Sequence, residues 1–181
     1  MSLFFLTGLP RNRTAWLSVL LSHGDHSFCT HDGLKNHTPQ KLVHAMRESD
    51  YDYAGDSDSA LLLHVEEIIS LVPDANWVLL HRPTVDCLDS YHRHFEFNYP
   101  GGPKTYPELV NTFNVAEKLF QKAKRILPKA LTVNFSELDN IAVVYKLWRH
   151  CMPGVAFPLN RFNELSALRV NVMVEKLKGQ K

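Results

Sequence analysis

Hydrophobic and polar positions along the chain alternate between short continuous apolar runs and segments with a 3.6-residue period. Leu3 to Thr7 is a continuous apolar run ended by Gly8-Leu9-Pro10, which reads as a strand covered on both faces of a parallel sheet. Trp16, Leu17, Leu20 and Leu21 then recur on one helical face. Ser27 to Thr30 reads as a second short strand. Thr38-Pro39 is a cap followed by a first-turn proline, with Leu42, Val43 and Met46 as the inner stripe of the helix it starts. Tyr51 to Gly55 is a third strand, and Asp56-Ser57-Asp58-Ser59 supplies cap residues ahead of a helix over Leu61 to Leu71. Asn76 to His81 is a fourth strand, stopped at Arg82-Pro83 before a helix bearing Val85, Leu88 and Tyr91. Asn98 to Pro103 is a loop; a long helix runs from Pro107 to Ile126, a fifth strand from Ala130 to Phe135 and a further helix from Ala142 to His150. The tail from Pro153 to Lys181 is ambiguous: Leu168 to Val174 suits a strand and Met173 to Lys178 suits a helix end.

Strands alternating with helices at this spacing predict an α/β fold, three layers with a central, mostly parallel five-stranded sheet. Ligands of such sheets bind beyond the carboxyl ends of the strands, where strand order reverses. The composition agrees: 181 residues, 45% hydrophobic and 22% charged, suit one globular domain over residues 1–181. With 20 Lys+Arg against 19 Asp+Glu the net charge is +1, so no overall field attracts nucleic acid or an anionic membrane, and any anion site is local. The N-terminus lacks the basic region of a signal peptide, and no run reaches the ~20 apolar residues of a membrane span. Three widely spaced cysteines, Cys29, Cys87 and Cys151, fit no disulfide framework or zinc site and point to a reducing cytoplasmic compartment. Neither His23-x-x-His26 nor His92-x-His94 has a metal-binding spacing with acidic or thiol partners, so no metal is expected.

Three strand ends carry unusual chemistry. Gly8-Leu9-Pro10-Arg11-Asn12-Arg13-Thr14 joins a buried strand to a helix N-terminus, where outward N–H groups, two guanidinium groups and a hydroxyl suit phosphate or sulfate. As a Walker A loop it fails: counting from Gly8, Thr14 stands at the lysine and Ala15 at the magnesium-binding hydroxyl. The other two are Gly55-Asp56-Ser57-Asp58 and His81-Arg82-Pro83.

The first loop with its following Ala15-Trp16 resembles the 5′-phosphosulfate-binding loop of sulfotransferases, G-x-P-R/K-S-G-T-T-x. The run Trp77 to Tyr91 resembles that family's 3′-phosphate element, an apolar strand followed by Arg-Pro and then a serine in the next helix. Thr132 to Leu138 is similar to the strand and acidic turn after the family's long helix, so the resemblance spans Leu3 to Leu138. It implies the P-loop-like fold and 3′-phosphoadenosine 5′-phosphosulfate as donor substrate. It also implies Arg11, Asn12, Arg13, Thr14 and Ala15 around the phosphosulfate, and Arg82 and Ser90 on the 3′-phosphate. The implied reaction is sulfuryl transfer to a hydroxyl or amine, with Arg11 stabilising charge and a base near the crevice. Asp56 occupies the family's frequent base position at the third strand end, with Asp58 and His64 next in order; the competing reading of Asp56 is helix capping.

The chain departs from the family where Arg13 replaces a glycine, where Ala15 lacks a hydroxyl, and in the C-terminal Arg-Lys-Gly element, of which Lys176 to Gly179 is a faint copy. A Mg-ATP phosphotransferase and a non-catalytic nucleotide- or anion-binding module remain the alternatives. The loop with Tyr99, Lys104 and Tyr106 is either an acceptor lid or a connection.

Overall fold

A computed structural model of the chain describes residues 1–95, 103 and 105–168. Five strands form one sheet: β1 (Ser2–Gly8), β2 (Ser27–His31), β3 (Tyr53–Ser57), β4 (Asn76–His81) and β5 (Leu131–Asn134). Their order is β2-β3-β1-β4-β5 and every neighbouring pair is parallel. The three-layer, P-loop-like arrangement expected from the sequence is therefore present, with an all-parallel sheet. Helices α1 (Thr14–Leu21), α6 (Ile141–Cys151) and α7 (Leu159–Ala167) cover one face, packing on Phe4, Leu6, Val78 and Leu80. Helices α2 (Pro39–Arg47), α3 (Val65–Leu71), α4 (Thr84–Phe95) and α5 (Tyr106–Ile126) cover the other, packing on Leu3, Phe5, Trp77 and Leu79. Burial on both faces explains why β1 and β4 read as unbroken apolar runs. Gly55 lets the Phe4 ring lie across β3, since a Cβ there would come within 2.1 Å of that ring.

The chain leaves β1 toward the α1 face but leaves the neighbouring β3 and β4 toward the opposite face. A crevice therefore opens at the carboxyl end of β1. Two elements differ from expectation by more than a residue. β3 is shifted by two, beginning at Tyr53 rather than Tyr51 and running on through Asp56 and Ser57, because these continue the ladder with β1 and β2. The expected helix 61–71 is split into a 3-10 turn, Ser59–Leu63, and α3, and of the four cap candidates it is Asp58 that caps the turn, its side chain accepting the Ala60 N–H. α7 is a helix in the stretch that sequence left ambiguous; the strand or helix alternatives beyond Leu168 and most of the loop 98–104 lie outside the described residues.

Candidate functional site

The loop between β1 and α1 is held where backbone and side chains are both constrained. Gly8 lies so close to β4 that a Cβ would sit 2.2 Å from the Leu80 carbonyl oxygen. The Asn12 amide, fully buried, donates to that same carbonyl at 3.0 Å. Arg11 and Arg13 both take left-handed backbone, with φ of 76° and 59°. For a residue with a Cβ this costs energy, of order 1–3 kcal/mol, and such strain concentrates at ligand sites. Arg13 thus keeps the backbone conformation that a glycine would give and adds a guanidinium at the N-cap of α1. The first turn of α1 contains no acidic residue, so its positive end is not neutralised from within the helix.

The two elements expected to hold a nucleotide meet at this loop. Arg11 Nε donates to Ser90 Oγ at 3.2 Å, and Arg82 donates from one terminal nitrogen to the Arg11 carbonyl at 2.7 Å. Residues 71 and 79 positions apart in sequence are thereby joined at the ends of β1 and β4. The Arg82 guanidinium lies 4.1 Å from the centre of the Phe135 ring, and Arg13 lies 5.1 Å from the same ring. Arg82 does not pair with Glu66 or Asp86: Glu66 binds Lys122 at 2.5 Å. Burial, and secondly the Arg82 charge, lower the Arg11 pKa from its usual range. An anion between the two guanidinium groups relieves both effects. Cys87, under the same cluster, is pushed up to about 12 by burial and stays a neutral thiol.

Arg13 reaches outward instead, to Asp139 in the turn after β5, at 2.6 Å. Ala15 is exposed and contributes only its backbone. Thr14 faces away from Arg82: its hydroxyl is 3.2 Å from His31 Nε2 at the end of β2. His31 Nδ1 lies 3.4 Å from Asp32 Oδ2.

Asp56 is inside the fold. Its Oδ1 accepts from Thr30 Oγ1 at 2.7 Å and from Gly33 N at 3.2 Å, while its Oδ2 is buried with no partner among the described residues. Burial is the main reason its pKa is pushed up to about 6; the Thr30 bond opposes this and the Asp58 charge adds to it. Asp58 is also raised by burial, against its bond from Ala60. His64 pairs with Glu67 at 3.2 Å on α3.

The structure therefore brings Arg11, Arg82 and Ser90 together above Asn12, turns Arg13 toward Asp139 and Thr14 toward His31 on either side, and places Asp56 beneath the β2 corner. His31, Asp32, Phe135 and Asp139 were not singled out as site residues by sequence reasoning. Their common signal is position: each stands at or just past the carboxyl end of β2 or β5, the edge where such sheets bind ligands. Among the described residues no three of His, Cys, Asp or Glu come together in a group that could hold a metal ion, and no helix is long and apolar enough to cross a membrane. No protein-family model and no curated protein matches the chain.

Proposed function

We propose that the chain is a small sulfotransferase that takes its sulfuryl group from 3′-phosphoadenosine 5′-phosphosulfate. The observation that carries this reading is the convergence of Arg11, Arg82 and Ser90: two separate motifs, each resembling one phosphate-binding element of that family, meet at one crevice. The loop backbone, the α1 N-terminus and Arg13 would cradle the 5′-phosphosulfate, with Thr14 beside the transferred group. Arg82 and Ser90 would take the 3′-phosphate. Sulfuryl transfer is an in-line displacement, so the protein's tasks are positioning, charge stabilisation and removal of one proton from the acceptor. A Mg-ATP phosphotransferase fits these residues less well, because Thr14 and Ala15 replace the lysine and the metal-binding hydroxyl of the Walker loop. Three buried, unpaired cysteines suit a reducing, cytoplasmic setting.

Calorimetric titration with adenosine 3′,5′-bisphosphate, run beside ATP with magnesium, tests the donor assignment. Tight bisphosphate binding, weakened at least tenfold in Arg82→Ala, supports it. Preference for Mg-ATP moves the phosphotransferase reading to first place. Binding indifferent to the 3′-phosphate overturns the roles of Arg82 and Ser90, and absence of any nucleotide binding leaves a scaffold without a donor site.

A further inference from the structure

Strand order divides the crevice into two sides. Arg82 and Ser90 belong to β4 and α4, on one side of the β1 loop; His31, Asp32 and Asp58 stand at the ends of β2 and β3, on the other. Thr14 lies between them, and its hydroxyl is bonded to His31. An in-line displacement requires the attacking atom and the leaving oxygen on opposite sides of sulfur. If the nucleotide lies over β4, the acceptor must approach from the β2 side, where His31 is exposed and in reach.

We propose that His31 accepts the proton of the attacking hydroxyl or amine, and that Asp56 is the positioning residue that fixes the turn on which His31 stands. The proposal rests on the sulfotransferase reading and names the acceptor side of that same site. In the tautomer with its proton on Nδ1, the nitrogen 3.4 Å from Asp32 Oδ2, Nε2 carries the lone pair; the Thr14 hydroxyl donates to it until an acceptor O–H or N–H takes its place. The acceptor atom then forms a bond to sulfur and its proton passes to Nε2. The bond from sulfur to the bridging oxygen of the 5′-phosphate breaks, and adenosine 3′,5′-bisphosphate leaves with that electron pair. Asp56 touches neither reactant. It receives the Thr30 hydroxyl and the Gly33 N–H, the residues that bracket His31 and Asp32, and so clamps both ends of the turn. Asp32 itself sits in left-handed backbone at φ 56°, a conformation that this clamp helps to hold.

The test follows the imidazole and amide resonances of the full-length protein during titration with adenosine 3′,5′-bisphosphate, and turnover of the phosphosulfate donor with a phenol, a primary amine and water as acceptors. The expected result is that the Thr14 amide and the His31 imidazole both respond. In His31→Ala, bisphosphate affinity stays within about threefold while turnover falls about 100-fold or more. Asp56→Asn, which keeps an acceptor oxygen, retains the His31 response; Asp56→Ala and Thr30→Val, the latter included in case the former does not fold, lose it. A Thr14 amide that responds while the His31 imidazole does not overturns the proposal, as does full turnover in His31→Ala. Failure of the Arg11 and Thr14 amides to respond sinks the donor reading instead. An unchanged His31 response in both Asp56→Ala and Thr30→Val removes the positioning role.

Discussion

Asp56 shows how a single residue can be placed against the interest of stability. Its carboxyl is ionised near pH 3.9 in an unfolded chain but only near pH 6 in the fold, because burial disfavours the charge. Between those values the native state binds more protons than the unfolded state, so this group's contribution falls as pH rises. Above pH 6 the full penalty, about 3 kcal/mol, is present. Asp56→Asn is therefore expected to be more stable than the wild type at pH 7.5, by about 1–3 kcal/mol. At pH 4 the two are expected to be nearly equal. Urea unfolding at the two pH values measures the difference; equal effects at both would show that ionisation is not the source. The sequence presented Asp56 as the end of a strand and a choice between base and cap. Its inward direction depended on β3 pairing two residues further with Phe5 and Leu6, which a count of local apolar residues does not reveal.

At the scale of elements, the turn from β5 into α6 carries two of the side chains around the loop, Phe135 and Asp139. It is held by Asn134 and Glu137, which cap each other's backbone, and by Asn140, whose side chain receives the Ala142 N–H at 2.9 Å. Asn140→Ala is expected to lower stability by about 1 kcal/mol with Arg82 left on the Phe135 ring. Thermal unfolding reads the first effect, and unchanged bisphosphate affinity the second. The buried strands β1 and β4, the long α5 and the fifth strand were legible within a few residues, because apolar runs and Pro or Gly punctuation leave little choice. The loop at Gly8–Thr14 was legible for a similar reason: a strand, a tight approach and a helix start sit in one short segment. His31 was not. A five-residue edge strand with one buried apolar side chain, Cys29, has a weak pattern, and the partner of His31 lies on another element. The ambiguous segment that forms α7 is decided by Phe162 and Leu165 packing on α1, a tertiary effect with little local trace.

For the whole molecule, two apolar layers enclose the sheet, and all three cysteines lie within them. Burial raises the pKa of each thiol, so none is a thiolate at neutral pH. Native protein is expected to leave all three unmodified by a disulfide-exchange reagent at pH 7.5, and unfolded protein to react at all three; rapid modification of Cys87 in the folded state would mean that the Arg11–Arg82 cluster opens. Trp16 is buried at the other end of the same arrangement. Its Nε1 donates to the Leu165 carbonyl at 3.0 Å, and the Arg13 guanidinium lies 5.9 Å from its ring. An anion that draws Arg13 from Asp139 shifts a cation relative to the indole, while Trp77 and Trp148 stay sealed in the core. The loop thus carries its own fluorophore: occupancy is expected to change tryptophan emission, and Trp16→Phe to abolish that change, giving an optical signal of binding that requires neither a label nor an acceptor.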